Sequence, residues 1–329
     1  MNRNINNILI TGGAGYIGSH ITEELIKEKK NKVYIFDNLS TGYKRLINKK
    51  AHFIKGDIKN LNKLSAIINE NNIDSIIHLA ALLNVKKAEK NRKRYFKNNV
   101  LGTKNLIIAC KGSTVKNIIF SSSCSVYGNV KGPVKETNKL NPKGYYGFTK
   151  KEGEKIVRKF AKKFDYNFGI LRYFNVVGAS STKKIGEIDK SNDHLFKNIA
   201  IEYFKIKPKV KIYGNNFNTL DGTCVRDYMH VSDIAKIHIK TLKHIKRKNK
   251  SLVLNCGYGR GFSVLQIINV FKKLKKNVKI IFTSRRPGDV AQVYSDNTKI
   301  KKILKWKPKK RSVESILKSA INWEKKIQK

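Results

Sequence analysis

The feature that most limits how this chain can fold is a strand that runs straight into a glycine-rich turn and then a helix. Asn7 to Thr11 is a short apolar run, and it meets Gly12, Gly13, Ala14, Gly15, Tyr16, Ile17 and Gly18 before a helical pattern begins. Glycines let the backbone turn tightly and approach a ligand with no Cβ in the way, and the helix start offers free N–H groups and positive potential. Strand, glycine turn and helix in that order fit the pyrophosphate of a dinucleotide within a βαβ unit. A carboxylate is the second requirement. Asp37 supplies it at the end of the next strand candidate, 19 residues after Gly18. There it can accept hydrogen bonds from ribose hydroxyls and would repel a 2′-phosphate, so the expected cofactor is NAD and not NADP.

The rest of the first half continues the alternation. Strand candidates are Asn7 to Thr11, Lys32 to Asp37, His52 to Lys55, Ser75 to Ala80, Lys116 to Ser121 and Asn167 to Tyr173, with helical stretches at Tyr16 to Lys29, Leu61 to Asn69, Ala88 to Cys110 and Tyr146 to Phe164. Short β-branched runs between longer helical periods indicate a Rossmann-type doubly wound parallel sheet. After Gly178 a polar segment, Ala179 to Asp193, has neither period. Beyond it come a helix near His194 to Phe204, strands at Val210 to Tyr213 and Val253 to Asn255, a helix at Val264 to Leu274, a strand at Val278 to Phe282 and a last helix from Val313. The expected division is therefore a dinucleotide-binding domain over 1–178, with returning segments around 225–265. A smaller C-terminal α/β lobe for substrate spans 179–329.

Composition narrows the class. With 329 residues, 40% of them hydrophobic, the chain can bury one large core or two joined ones. The longest apolar stretch, Ile76 to Val85, is interrupted by His78 and Asn84 and is too short for a membrane helix. No secretory pattern precedes Ile8, so a cytoplasmic protein is expected. Cys110, Cys124, Cys224 and Cys256 show no Cys-x-x-Cys pair and no zinc spacing, so they are read as reduced thiols with no metal site. Cys124 as a nucleophile lacks a dedicated base nearby in sequence. The net charge of +47 raises nucleic acid as a partner. The lysines are spread along the whole chain in company with Asn and Ile, which points to compositional drift and to weak, non-specific attraction only.

The chemistry centres on Tyr146 and Lys150, four apart at the start of a helical pattern and so on one face. A tyrosine has a pKa of about 10, and a nearby ammonium favours its phenolate at neutral pH. Ser121, Ser122 and Ser123 end a parallel strand, where open α/β sheets present their carboxyl ends to a ligand. Ser123 can hydrogen-bond a reacting hydroxyl and relay its proton. Asp57 and Ile58, at the end of the third strand, divide evenly between cofactor contact and turn chemistry.

With these residues assembled, the chain resembles the UDP-glucose 4-epimerase family, a branch of the extended short-chain dehydrogenase/reductases, from about Asn7 to about Trp323. The similarity is carried by Thr11 to Ser19, Asp37 to Gly42, Gly56 to Ile58, Asn98 to Thr103, Ser121 to Gly128, Tyr146 with Lys150, Leu171 to Asn175, Asp221 to Tyr228 and Arg285 to Asp289. It implies cofactor contacts from Gly12, Gly15, Tyr16, Ile17, Gly18, Asp37, Asn38, Ser40, Thr41, Gly42, Asp57, Ile58, Ala80, Asn99, Ser121, Tyr146, Lys150 and Tyr173. It further implies that Tyr146 takes the proton of a sugar 4-hydroxyl, assisted by Ser123, while NAD takes the hydride. The 4-keto sugar then turns over and is reduced on its other face, so the cofactor stays bound. For that rotation the nucleotide must carry most of the grip. Asn175, Arg226 and Arg286 match diphosphate contacts, Tyr213 an aromatic beside uracil, Asp289 a carboxylate at the uridine ribose, and His194 with Leu195 the lip of the site. A homodimer through the helices near Ala88 to Cys110 and Tyr146 to Phe164 is also implied.

The chain departs from the family at Leu83, where a polar residue is usual, and at Ala88, where serine is common. Val293 aligns with a tyrosine of narrow-pocket relatives, and the smaller side chain predicts room for an N-acetyl group, admitting UDP-GalNAc and UDP-GlcNAc. Two alternatives remain. A sugar-nucleotide 4,6-dehydratase or decarboxylase shares the early motifs, but a dehydratase needs an additional acid where this chain has Cys124 and Ser125. A basic nucleic-acid-binding protein on a retained fold has only the charge in its favour.

Overall fold

The computed structural model describes residues 5–130, 132–188, 194–286, 288–309 and 312–328. The chain divides into two compact units, Met1–Gly128 with Lys139–Arg172 and Ala235–Leu254, and Asn129–Asn138 with Tyr173–Ile234 and Asn255–Lys329.

The chain begins with β1 (Asn6–Thr11), α1 (Tyr16–Ile26), β2 (Asn31–Asp37), β3 (His52–Lys55), α2 (Leu61–Glu70) and β4 (Ser75–His78). There follow α3 (Val85–Lys90), α4 (Arg92–Tyr95), a π-helical turn (Phe96–Leu101), α5 (Gly102–Ala109), β5 (Asn117–Ser123), β6 (Pro133–Val134), α6 (Tyr145–Lys163) and β7 (Asn167–Tyr173). The remaining elements are β8 (Asn175–Val177), α7 (Leu195–Glu202), β9 (Lys209–Tyr213), β10 (Val225–Arg226), β11 (Tyr228–His230), α8 (Val231–Lys248), β12 (Leu252–Cys256), β13 (Phe262–Ser263), α9 (Val264–Leu274), β14 (Lys279–Thr283), β15 (Gln292–Ser295), α10 (Thr298–Leu304) and α11 (Val313–Ile327).

The first unit is built on a seven-stranded sheet in the order β12-β7-β5-β4-β1-β2-β3. The pairs β1–β2, β1–β4, β2–β3 and β4–β5 are parallel. Ile8, Leu9 and Ile10 of β1, Ile76 and Ile77 of β4, and Ile118 and Ile119 of β5 are all within 1% of complete burial, as strands covered on both faces require. The chain winds outward through β2 and β3, then returns to β4 on the other side of β1. That reversal opens a crevice at the carboxyl ends of β1 and β4, and ligands of open α/β sheets bind at such switch points. The doubly wound sheet expected from the strand alternation is therefore present.

Several elements differ from the sequence expectation. The single helix from Ala88 to Cys110 is broken at Asn91 (φ −128°, ψ 45°) and passes through the π-helical turn before α5. π turns insert an extra residue into a helix and re-aim its side chains. Here Asn99 is turned inward, where it binds both backbone groups of Leu82. The strand expected over Ser75 to Ala80 ends at His78. The long helix α8 was not anticipated, although Ile234, Ala235, His238, Leu242 and Ile245 are buried at helical spacing.

The second unit carries a four-stranded sheet, β13-β10-β15-β6, and the pairs β11–β8 and β14–β9. The helix expected near His194 is α7, and the expected strands near Val210 and Val278 are the parallel pair β9 and β14. Within the polar segment, residues 181–188 form no helix or strand, and 189–193 lie outside the described residues. Among the described residues no helix is long and apolar enough to cross a membrane.

Candidate active site

Gly12 follows β1 with a φ of 75°, and a Cβ there would stand 2.7 Å from the backbone nitrogen of Ala80, just after β4. A Cβ on Gly18 would lie 2.4 Å from the Gly12 carbonyl oxygen, so helix α1 can pack this close only through glycine. Helix α1 opens on Gly15 with no side-chain cap, leaving the positive end of its dipole to a ligand. Asp37 closes this cradle. Its carboxylate accepts hydrogen bonds from the Ala14 N–H (3.0 Å) and the Leu39 N–H (2.8 Å), which lock β2 to the glycine loop. Burial pushes the Asp37 carboxyl above its usual range, and those two N–H groups oppose the rise. The Cβ-free turn, the uncapped helix and the anchored carboxylate fit a dinucleotide diphosphate and an adjacent ribose diol.

The other residues implied at the cofactor are divided. Ser40 and Thr41 are exposed, and a Cβ on Gly42 would lie 3.0 Å from both Asp37 carboxylate oxygens. Asn38 donates to Asp57 at 3.0 Å. Burial raises the Asp57 carboxyl, but the Lys59 N–H, Asn38 and the Lys59 charge bring it below its usual range. Ile58 is a core residue, 4% exposed. Asn99 gives one amide hydrogen to the Leu82 carbonyl (3.0 Å) and one to the Thr149 hydroxyl (3.1 Å), and accepts from the Leu82 N–H (2.8 Å). It thereby ties the segment after β4 to α6. Tyr173 is buried at the end of β7.

Three consecutive serines at the end of β5 meet three successive turns of α6. The Ser121 carbonyl accepts from Lys150 Nζ at 2.8 Å, the Ser122 hydroxyl donates to Glu154 at 2.6 Å, and the Ser123 hydroxyl is hydrogen-bonded to the Tyr146 phenol. Lys150 is 4% exposed, and its Nζ lies 6.0 Å from the centre of the Tyr146 ring. Burial lowers its pKa to about 7, against the pull of Glu154. Burial and neighbouring Cys124 raise the Tyr146 phenol above its ordinary value, and the Ser123 hydrogen bond opposes them. A buried ammonium, a phenol and a hydroxyl at one strand end can together take a proton from an alcohol and return it.

The sequence assigns no role to Glu154, Ser122 or Tyr127, yet they surround this group. Glu154 accepts from Arg172 through both Nε (2.8 Å) and Nη2 (2.7 Å), and Arg172 also donates to the Tyr127 hydroxyl at 2.8 Å. Burial works against the Arg172 charge, but Glu154 and Tyr127 hold its pKa above normal. The signal available in sequence was the spacing of Tyr146, Lys150 and Glu154, which places all three on one face of α6.

In the second unit, Arg226 on β10 is the register partner of Val293 on β15, and its guanidinium reaches Asp289 at 3.5 Å. Arg286 lies over the Tyr213 ring at 3.7 Å. The buried Cys224 thiol feels Arg226, Asp289 and Arg286 together, so three of the residues implied at the nucleotide share one neighbourhood. Burial raises that thiol, and the two arginines oppose the rise. Asn175 on β8 pairs in register with Tyr228 of β11 and donates its amide to the Asp227 carbonyl at 3.3 Å. Asp227 itself accepts from the Ser295 hydroxyl (2.7 Å) and the N–H groups of Tyr258 (2.9 Å) and Gly259 (3.0 Å), which fixes the strand that presents Arg226. Val293 is 7% exposed. His194 precedes α7 beside Leu195 without capping it through its side chain, and is hydrogen-bonded to Glu187. The four cysteines are free thiols, and among the described residues no cluster of His, Cys, Asp or Glu could hold a metal ion.

The profile of the "NAD dependent epimerase/dehydratase family" matches residues 8–257, three quarters of the chain. The chain belongs to that family. A UDP-glucose 4-epimerase of Lactobacillus helveticus is 40% identical over 321 residues, covering 97% of each chain. Among solved structures, the UDP-glucose 4-epimerase of Stenotrophomonas maltophila, described with bound NAD and formylated UDP-arabinopyranose, superposes with a TM-score of 0.93 at 33% identity over 98% of this chain and 99% of that one. The UDP-Glc/GlcNAc 4-epimerase of Campylobacter jejuni superposes with a TM-score of 0.84 at 36% identity, over 98% and 99% of the two chains. The match covers the glycine loop, the strand ends with Tyr146 and Lys150, and the arginine group alike, so the family's epimerase members share both units of this fold.

Proposed function

We propose that this protein interconverts UDP-galactose and UDP-glucose at carbon 4, with NAD as a resident cofactor in the glycine cradle. The observation that carries this reading is the Ser123–Tyr146–Lys150 group on β5 and α6, in a chain of this family related over its full length to UDP-glucose 4-epimerases. NAD, when bound, would supply the acceptor and donor of the C4 hydride. Tyr146 as phenolate accepts the 4-hydroxyl proton and gives it back to the same oxygen on the return. Ser123 holds that oxygen within reach, and Lys150 stabilises the phenolate. Gly12, Gly15 and the start of α1 hold the pyrophosphate, and Asp37 the ribose. Arg226, Arg286 and Asn175 grip the UDP diphosphate, where planar cationic forks suit phosphate oxygens, with Tyr213 at uracil and Asp289 at its ribose. Cys124 and Ser125 offer no acid for expelling a 6-hydroxyl, which favours epimerisation over dehydration. Conversion of UDP-galactose to UDP-glucose by purified protein without added NAD, with near silence from Tyr146→Phe, tests the reading. A wild-type protein that stays silent even with NAD added overturns it.

Val293 supports a wider substrate range, because a buried valine leaves more volume than a tyrosine at that position, and one relative named above acts on UDP-Glc and UDP-GlcNAc. UDP-GalNAc and UDP-GlcNAc are then also substrates, and undetectable turnover of both rules this out. We further propose a cytoplasmic homodimer formed through α3 to α6. Leu101 (39% exposed) and Phe148 (37% exposed) leave apolar surface on those helices. A monomer in sedimentation at physiological salt would refute the dimer.

A further inference from the structure

Lys150 is buried almost completely, and the carboxylate that favours its charge is Glu154, one turn further along α6. Glu154 is 1% exposed and held in place by three short hydrogen bonds, from the Ser122 hydroxyl (2.6 Å) and from Arg172 Nε (2.8 Å) and Nη2 (2.7 Å). Arg172 is fixed in turn, donating to the Tyr127 hydroxyl at 2.8 Å and lying over that ring at 4.9 Å. We propose that Glu154, clamped by Ser122 and Arg172, is a positioning residue that biases the shared proton toward Lys150, against the burial that favours the uncharged pair. The inference rests on the proposed function in taking Tyr146 as the base.

Tyr146 and Lys150 are two buried bases for one exchangeable proton. Phenolate with ammonium is the active arrangement, and phenol with neutral amine is inert. Both hold the same number of protons, so pH cannot choose between them and local charge must. Along the helix axis Glu154 is about 6 Å from Lys150 and about 12 Å from Tyr146, so its charge favours the ammonium more than it penalises the phenolate. The other groups facing the pair do not do this. His78 of β4 is fully buried, with a pKa lowered to about 3 by burial and by Lys150, and is neutral. Cys124 and Tyr95 disfavour the phenolate, Arg172 and Arg158 face Glu154, and the Ser121 carbonyl accepts from the ammonium. Among the described residues, Glu154 is the group whose negative charge favours the Lys150 ammonium.

The test is the pH dependence of kcat/KM for UDP-galactose, measured on the protein as purified with its own cofactor, for wild type, Glu154→Gln and Glu154→Asp. In Glu154→Gln the acid limb should move about one pH unit lower and the plateau should fall about tenfold, with the two curves converging at acid pH. A glutamate that only supports the fold would lower the rate by one factor at every pH, and parallel curves overturn the proposal. Glu154→Asp keeps the charge, so its limb should stay near that of wild type; a displacement as large as that of the glutamine variant also overturns it. A second readout does not depend on turnover. The ultraviolet difference absorbance of tyrosinate, followed as pH is raised and taken relative to Tyr146→Phe, should appear at higher pH in Glu154→Gln than in wild type, and coincident curves refute the proposal. If the glutamine variant fails to fold, Glu154→Gln/Arg172→Met removes the buried pair together, so that Arg172 is not left without its carboxylate, and should move the tyrosinate curve in the same direction. Absence of epimerisation by wild type would defeat the proposed function alone, because the tyrosinate comparison still reports on Glu154.

Discussion

At the end of β5 the polar groups are closed into short, buried hydrogen bonds, from 2.6 Å at Ser122–Glu154 to 2.8 Å at Lys150–Ser121. Around Cys224 the ion pair is looser, with Arg226 reaching Asp289 only at 3.5 Å while its other terminal nitrogen donates to the Val225 carbonyl at 2.9 Å, and with Arg286 resting on an aromatic face. The difference follows from what each region must do under the proposed function. A base must be preorganised, because any reorganisation of its surroundings adds to the barrier. Arginines that await a diphosphate must give up their present partners, so weak pairs lower the cost of the exchange. The comparison predicts that substitutions at the first region change kcat, and those at the second change KM.

The largest effect belongs to Tyr146→Phe. Loss of the phenol should reduce kcat by about 10²–10⁴, the usual worth of a positioned base, with binding of UDP unchanged. Lys150→Met should lower kcat nearly as much while making the protein more stable at neutral pH. The sign follows from linkage. The Lys150 pKa is lowered to about 7 in the folded state, whereas an unfolded lysine stays near 10.4. Between those values the unfolded chain binds more protons, so wild-type stability rises with pH there and its deficit is greatest below about pH 7. Thermal melts should show that rise in wild type and a shallower one in the methionine variant. Equal slopes would mean that Lys150 is not the strained charge described above.

The two regions were unequally legible. Asp37, the glycine loop and the Tyr146–Lys150 spacing lie in local sequence, where strand ends and helix periodicity fix who faces whom. Glu154 also lies at that spacing, but its meaning comes from Arg172, which reaches it only through the packing of α6 and β7 against β5. Arg172 sits in a recognisable motif, yet nothing in that motif says that its guanidinium turns to Glu154 and Tyr127. The break at Asn91 and the π turn around Asn99 were invisible for a related reason. Asn99 is partnered by Leu82 and Thr149, which are 17 and 50 residues away in sequence. In the second unit the strands are two to five residues long, too short for alternation to show, so β8, β10, β11 and β15 left no periodic signal.

Arg286→Ala sharpens the comparison from the other side. It removes a charge-assisted contact to phosphate worth about 1.5–3 kcal/mol, so KM for UDP-galactose should rise about 10- to 150-fold with kcat nearly unchanged. Stability should hardly move, because the stack on Tyr213 is partly open to solvent. A fall in kcat with constant KM would show that the arginine group is as preorganised toward the reacting sugar as the strand end is.

The smallest expected effect tests whether the strand-end region is closed as far down as His78. That ring is fully buried between two hydroxyls, Thr11 at 2.6 Å from Nδ1 and Thr103 at 2.9 Å from Nε2. Thr103 donates its own hydrogen to the Asn99 carbonyl at 2.7 Å, so it must accept from Nε2–H, and Nδ1 must accept from Thr11. Both ring nitrogens are thus committed in the neutral form, and a proton has nowhere to go. With the folded pKa lowered to about 3 and the unfolded one near 6.5, the stability gained by keeping His78 neutral is complete above pH 6.5 and is lost as pH falls toward 3. Its share of the slope is at most about 1.4 kcal/mol per pH unit. His78→Gln offers an acceptor and a donor but cannot titrate, so its melting temperature should fall less steeply than that of wild type between pH 6.5 and 4. If the two slopes agree, His78 takes up a proton in the folded state and the polar network beneath the glycine loop is looser than its hydrogen bonds require.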